Sequence, residues 1–399
     1  MARTVRRRAR DNPPMSSIPV SAHSPRTLNN ASWALRAQFF VTGAMFATWG
    51  VHVPTVKAHY GLGEQTLAMA MFAAGVGSIG MLAQAGRVIG RYGPRGVSMV
   101  MAVVCAVCIA SLIAFDSYLG LLTVMLFYGM SASLFDVSIN AEASEIERLA
   151  NRPIMSGFHA MFSLGGMVGA GVGSTVPSLG LSPQQHLLGA AVVCGGVALV
   201  ACSAMLRMQG PPATNAPLSL PRGPLALIGL LASMGMIGEG AMYDWSVLYT
   251  RQEVHADPST AALAYASFSG AMAAGRFVGD WVRARLDGVR LMRLSGVVGV
   301  VGMLLALLVA QPWAALVGFA LVGLGLANVV PVLFSAAGRV PGVSPAHGIA
   351  AVSAVGYLGM MAGPPMIGVI AEASSLTAGL FVVVIFAAMF AAFAKRALK

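Results

Sequence analysis

The sequence predicts an all-α membrane protein of 12 transmembrane helices, arranged as two parallel six-helix repeats. Three observations lead there. Only 10% of the 399 residues are charged and 57% are hydrophobic, whereas soluble globular proteins carry roughly 25% charged residues. Apolar stretches recur along the whole chain, each long enough for a spanning helix of roughly 20 residues. Segments of the first half reappear in the second at a nearly constant offset.

The elements follow in order. Residues 1–32 are basic and then rich in Pro and Ser, with no apolar stretch directly after the charges, so they read as a disordered cytoplasmic tail rather than a secretory signal. Met15 is an alternative start. The first half, 33–206, holds spans at 33–55, 65–86, 96–115, 119–143, 154–176 and 187–206. Residues 207–223 contain four prolines among small polar residues and read as a cytoplasmic linker. The second half, 224–394, holds spans at 224–250, 260–282, 292–310, 313–338, 347–371 and 377–394, and 395–399 form a short cytoplasmic tail.

A shift of 196 residues places Trp49 on Trp245, Val51 on Val247 and LAMAMF (67–72) on LAYASF (263–268). A shift of 194 places Leu164, Gly165, Met167 and Gly169 on Leu358, Gly359, Met361 and Gly363. Parallel repeats of this kind set a substrate site between the halves near the bilayer midplane.

Orientation follows from the basic residues, which are retained on the cytoplasmic side. With the N-terminus inside, all of the 25 Lys and Arg except Lys57 and Arg251 fall in cytoplasmic segments. The predicted location is a bacterial inner membrane, multi-pass, with both termini cytoplasmic. The net charge of +11 is spread between apolar segments, so it sets topology and does not make a nucleic-acid face. Cys105, Cys108, Cys194 and Cys202 all lie in apolar runs and read as packing residues. No Ser/His/Asp set, metal cluster or nucleotide-binding loop points to an enzyme or to ATP-driven pumping. The expected partners are a small-molecule substrate and the lipid bilayer, with a monomer as the expected state, no cofactor, and a proton as the coupling ion.

Two basic segments and a buried acid carry a resemblance. GRVIGRYGPRG (86–96) follows the second span, with Gly86, Arg87, Arg91, Gly93 and Arg95 in place, and GRFVGDWVRARLDGVR (275–290) follows the eighth, with Asp280, Arg283 and Arg285. Together with the repeats, these resemble the loop signature of the major facilitator superfamily, over residues 33–394. The resemblance implies alternating access, and these loop residues can act as gating contacts that cap helix ends and bridge helices in one state, with positive-inside topology alone as the alternative for the first loop. Gly90 stands where that signature has aspartate. Multidrug antiporters of the superfamily have an Arg in span four and a Gly-Pro pair in span five, and this chain has neither. NAEASEIERLANRPIMSGFHAMFSLGG and GEGAMYDWSVLY are similar to uncharacterised bacterial inner-membrane permeases of the YbjJ type.

Span four carries Asp136 and Asn140, an acid-x-x-x-Asn pattern similar to the fucose permease, in which the acid is a protonation site. That permease also has an acid in span one, four residues before a proline. Here the position is Gly50, before Pro54.

The residues themselves point the same way. An ionisable group at bilayer depth costs at least roughly 2.5 kcal/mol unless solvated, paired or neutralised. Asp136 and Asn140 share a helix face with Gly129, Ser133 and Ser144. No Lys or Arg is read as lying in the middle of a span, and burial disfavours the charged form of an unpaired acid. Asp136 is therefore a candidate proton carrier with Asn140 as its neighbour. The alternative is a structural acid bonded to an adjacent helix. Glu239 and Asp244 in span seven are further candidates for proton coupling. Trp49, Trp245, Tyr243 and His159 join Asn140 as candidate cavity residues, with an interfacial aromatic belt as the alternative for the tryptophans. His52 and His159 can titrate, although a lone histidine in a helix is most often a packing residue. Glu142 is placed in a loop ion-pair network with Glu145, Glu147, Arg148 and Arg152, and Gly363-Pro364-Pro365 in span eleven marks a kink or break. Lacking a fixed cation, the cavity suits a neutral polyol or sugar-like solute, or a cation, better than an anion. The expected activity is proton-coupled symport of such a solute. Proton-driven efflux of amphipathic compounds is the rival, with 25 Met available as an adaptable lining, and a non-transporting membrane sensor or scaffold is the alternative of another class.

Overall fold

The computed structural model describes residues 24–150, 154–207, 222–343 and 345–398, without the side chains of 156, 280, 345–347 and 350. Met15, Arg152, most of the N-terminal tail and residues 208–221 of the linker lie outside the described residues. The first half comprises α1 (Pro25–Tyr60), α2 (Glu64–Ala110), α3 (Tyr118–Ala150), α4 (Met155–Thr175) and α5 (Pro183–Ala204). The second comprises α6 (Pro224–Gln252), α7 (Pro258–Phe277), α8 (Gly279–Arg283), α9 (Gly288–Val309), α10 (Pro312–Leu326), α11 (Val329–Ala337), α12 (Pro345–Ala373) and α13 (Leu376–Ala397). No strand occurs among the described residues.

These helices make 12 crossings. α2 is two spans joined at Gly93, whose φ of 72° and ψ of 155° turn the chain sharply before Pro94. A side chain at that position would clash with its own backbone, which is why glycine stands there. The expected loop at 86–96 is thus helical up to this single turn. α7 and α8 continue one another across Val278, and α10 and α11 make one crossing broken at Ala327–Asn328. α1 begins at Pro25, where Ser24 accepts the Thr27 amide, so helix already covers 25–32 of the expected tail. α12 runs unbroken through Pro364 and Pro365, where a kink or break had been expected.

The repeat reappears in the packing. Gly165 of α4 presses on the Phe40 backbone of α1, and Gly359 of α12 presses on Ser233 of α6. Both glycines carry the offset of 194, and Phe40 and Ser233 lie close to it. A Cβ would come within 3.0 Å of Phe40 Cα at the first site and 3.2 Å of Ser233 Cα at the second. Helix ends agree: Ser182 caps α5 and Ser375 caps α13. In each half the chain therefore packs its fifth span on its first. Between halves, α4 meets α7, α2 meets α12 and α1 meets α6. This is the pairing that a twofold relation between the halves requires.

Arg87, Arg91 and Arg95 at the α2 bend, Arg148 of α3, and Lys395 and Arg396 of α13 gather at one end of the bundle, here called the basic end. At the other end Lys57 pairs with Glu64, and Asp257 caps α7, accepting from the Ser259 and Thr260 amides. Those donors and the Thr260 hydroxyl hold the Asp257 carboxyl below its ordinary range.

Overpacking costs about 1–3 kcal/mol where neighbours can move, and a backbone neighbour moves least. Gly165→Leu and Gly359→Leu should each lower the thermal unfolding midpoint of the purified protein markedly. Gly189→Leu, where a Cβ meets nothing within 4 Å, should leave it unchanged.

Candidate functional site

A cavity of about 400 Å³ lies between the halves, within the range of small-molecule sites. α1, α2, α3 and α4 supply one wall, and α6, α7 and α12 the other. Its inner lining is closed: Trp49 and Tyr243 are each 2% exposed. Toward the basic end Leu82 and Tyr357 are 37% and 43% exposed, so the cavity opens there.

The other end is sealed by contacts across the halves. The Trp49 indole Nε1 donates to Asp244 Oδ1 at 3.2 Å, and the Gln65 amide donates to Glu372 of α12 at 3.3 Å. Gly50 lies so close to α6 and α7 that a Cβ would stand 2.6 Å from the Tyr265 ring and 2.7 Å from the Tyr243 carbonyl oxygen. An acid in span one has no room here, which accounts for the glycine before Pro54.

Three carboxyl groups face the cavity, Asp136, Glu239 and Asp244. Asp136 receives the Asn140 amide at 3.0 Å, and the same amide donates to the Asp136 carbonyl at 2.9 Å. The shared helix face thus becomes a contact, although Asn140 itself sits behind the acid, outside the lining. Asp244 lies five residues beyond Glu239 along α6, about 7.5 Å closer to the sealed end. Its bonded partner is Trp49.

Glu239 is different, and it corrects the reading that no cation reaches mid-span. Arg276 of α7 donates to both Glu239 oxygens at 3.0 and 3.1 Å, and to Ser163 Oγ of α4, across the halves, at 2.9 Å. Tyr243 adds its hydroxyl to Glu239 at 3.2 Å. Arg276 was assigned with the basic segment after span eight, but α7 and α8 continue past it, leaving it a turn or more inside the helix. Removing one partner of such a pair strands the other, at about 3–5 kcal/mol. Arg276 is the one cation among the described lining residues, and Glu239 neutralises it.

The rings of Phe46, Phe162 and Tyr243 surround one part of the cavity, with centroids 5.4–6.5 Å apart. His159 also lines it, edge-on to Phe39 at 5.3 Å. Met71, Met125, Met236, Met360 and Met361 supply much of the remaining surface, and Pro364 borders it. Among the described lining residues there is no Asn or Gln. The Thr42 and Ser78 hydroxyls donate to helix carbonyls, Gln38 O at 2.8 Å and Gly129 O at 3.0 Å.

Several expectations fall elsewhere. Trp245 is fully buried outside the cavity, neither stacking platform nor interfacial belt, because α6 turns it away from the face that carries Asp244. Glu142 is fully buried rather than in a loop network. It accepts the Leu206 amide at 2.7 Å, tying α3 to the chain leaving α5, and lies within Coulomb range of Arg95. Glu145 does pair with Arg148, while Glu147 caps α4 through the Ile154 and Met155 amides. His52 is not alone, since its Nε2 lies 2.8 Å from His186 Nδ1. Arg87 and Arg91 are exposed, with Arg91 over the ring of Tyr92. Arg285 stacks on Trp281 at 3.9 Å, and Arg283 is exposed at the end of α8. The Asp280 side chain lies outside the described residues.

No family model matches the chain. Over 343 residues it is 34% identical to an uncharacterised MFS-type transporter of Yersinia pestis, covering 86% of this chain and 89% of that protein. It is likewise 34% identical over 363 residues to an uncharacterised transporter of Sinorhizobium fredii, with coverages of 90% and 96%. Among solved structures, a D-xylose-proton symporter superposes with a TM-score of 0.76 at 12% identity, over 94% of this chain and 98% of the other. The nucleoside transporter NupG gives 0.66 at 15% identity, over 93% and 98%. These two likenesses show the fold, and the Yersinia and Sinorhizobium relatives show the family: the chain belongs to the major facilitator superfamily of membrane transporters.

Proposed function

We propose that the protein is a proton-coupled secondary transporter that carries a small solute through the central cavity by rocking of its halves. One observation carries the reading. Asp136 and Asp244 face one cavity from opposite halves, and each has only an uncharged hydrogen-bond partner, Asn140 and Trp49. An acid at this depth must be neutralised by something that arrives and leaves. A proton and a solute are the arriving species available to a transporter. The interface between repeats is where such a fold changes access.

The positive-inside rule makes the basic end cytoplasmic, in a bacterial inner membrane. The arrangement described above is then open to the cytoplasm and sealed toward the periplasm.

The lining supports a solute with an apolar body over the sugar-like polyol expected from sequence. A polyol needs several free donors and acceptors. Here amides are absent from the described lining, the Thr42 and Ser78 hydroxyls already donate to helix carbonyls and that of Tyr243 to Glu239, and Ser133, Tyr128 and Tyr357 supply the other hydroxyls. Methionine and aromatic surface instead suits an amphipathic compound.

Asp136→Asn should leave the folded protein intact and fix the neutral state. In proteoliposomes, accumulation driven by a pH gradient should vanish while solute counterflow, which needs no net proton movement, survives. Continued uphill accumulation would take Asp136 out of the coupling and leave it to Asp244 alone. A panel of polyols, sugars and amphipathic drugs tests the solute class in the same vesicles.

The sidedness can be checked by thiol labelling. The native cysteines are buried, so an impermeant maleimide should label Leu82→Cys in inside-out vesicles and not in right-side-out ones. Unmutated protein should label in neither. Labelling from the outside alone would invert the topology.

A further inference from the structure

The charge balance of the cavity and the chemistry of its walls together select a solute class. Among the described lining residues three acids and one base face the space, and the base is bonded to Glu239. Two formal negative charges remain, on Asp136 and Asp244. An anionic solute would meet like charge, and a neutral one would do nothing for either carboxylate. A cation satisfies one of them directly.

The walls near Asp244 suit a cation that is not simply hydrated. Tyr243, next in sequence, meets Phe46 at 5.4 Å and Phe162 at 6.5 Å between ring centres. The Trp49 indole adjoins the Asp244 carboxyl itself. Aromatic faces attract a cation within about 6 Å of the ring centre, most strongly where water is excluded. The methionines give the remaining surface an apolar, deformable character. A carboxylate, several ring faces and an apolar remainder are complementary to an ammonium or phosphonium centre carrying aryl or alkyl groups.

We propose that the cavity binds an amphipathic organic monocation with its charged centre beside Asp244, and that the cation displaces a proton from that carboxyl, so that transport is exchange of cation for proton. The proposal rests on the reading of the cavity as the transport site. No covalent bond to the cation forms or breaks: the Asp244 carboxyl releases its proton to solvent as the carboxylate takes the cation as counterion. Proton and cation are alternative occupants of one group, which makes the coupling exchange rather than symport. Other titratable groups around Asp244 are few. They are Tyr128 of α3 and Tyr265 of α7, both within Coulomb range, and the Glu239–Arg276 pair farther along α6. Asp136 lies toward the open mouth, near Tyr357 of α12.

The test compares methyltriphenylphosphonium with triphenylphosphine oxide, a neutral molecule of nearly the same shape, on the full-length protein in lipid nanodiscs. Calorimetry reads affinity and a pH dye in weak buffer reads proton release. The cation should bind at least about tenfold more tightly than the oxide, release protons on binding, and bind more weakly as pH falls. Asp244→Asn keeps an acceptor for the Trp49 indole. It should abolish the preference and the proton release, and Asp244→Glu should restore both. Equal affinity for cation and oxide, no cation binding, or wild-type cation affinity in Asp244→Asn would each overturn the proposal. The vesicle experiment separates the levels: pH-driven transport of a non-cationic solute defeats this inference alone, whereas no coupled transport of any solute defeats the transport reading beneath it.

Discussion

Among the described lining residues one guanidinium stands against three carboxyl groups and bonds only one of them, and most of what the site can do depends on that imbalance. Arg276 makes two bonds to Glu239 and one across the interface to Ser163. Glu239 is thereby paired and held in place, reinforced by Tyr243. Asp136 and Asp244 have no such partner. A charge at their depth is expensive, and in the proposed function their neutralisation is supplied by something mobile, which would make these two side chains the variable part of the site.

The fold places these two acids where that variability matters. Asp244 stands at the sealed end, bonded to Trp49 of the other half, while Asp136 stands toward the open mouth with Asn140 behind it. The Trp49–Asp244 bond and the close approach of Gly50 to Tyr243 and Tyr265 must separate if the sealed end is to open. The state of Asp244 therefore bears on a contact between halves as well as on a ligand. Within each half, glycine contacts such as Gly165 on Phe40 leave little freedom to deform. Movement is left to the interface between halves, where one pairing occurs twice, α4 on α7 and α2 on α12.

Much of the fold is legible in the sequence because membrane burial imposes long apolar stretches, and duplication leaves an arithmetic offset that packing preserves. The Asp136–Asn140 face is legible for a local reason: residues four apart on a helix are neighbours whatever surrounds them. Contacts made at long range are not. Arg276 is misread because arginines near a span end look like topology signals, and its bond to Glu239, 37 positions away, has no local signature. His186 reaches His52 across 134 positions of chain, so either histidine alone looks solitary. Trp245 matches Trp49 in sequence, yet only Trp49 faces the cavity, since equivalent positions in two repeats need not keep equivalent surroundings. Glu142 sits among loop charges in sequence but is drawn inward by the Leu206 amide.

The central claim is the proposal that Asp136 and Asp244 exchange protons while Glu239 stays paired with Arg276. Infrared titration of the purified protein in lipid, read at the protonated carboxyl stretch, addresses it most directly. Measured in a Glu142→Gln background, because Glu142 is also a buried acid, the account predicts a buried carboxylic-acid band that fades from acid to mildly alkaline conditions, shrinks when Asp136→Asn or Asp244→Asn is added, and disappears when both are. A band that persists when both are added, or that is absent from the Glu142→Gln parent throughout the titration, would contradict it.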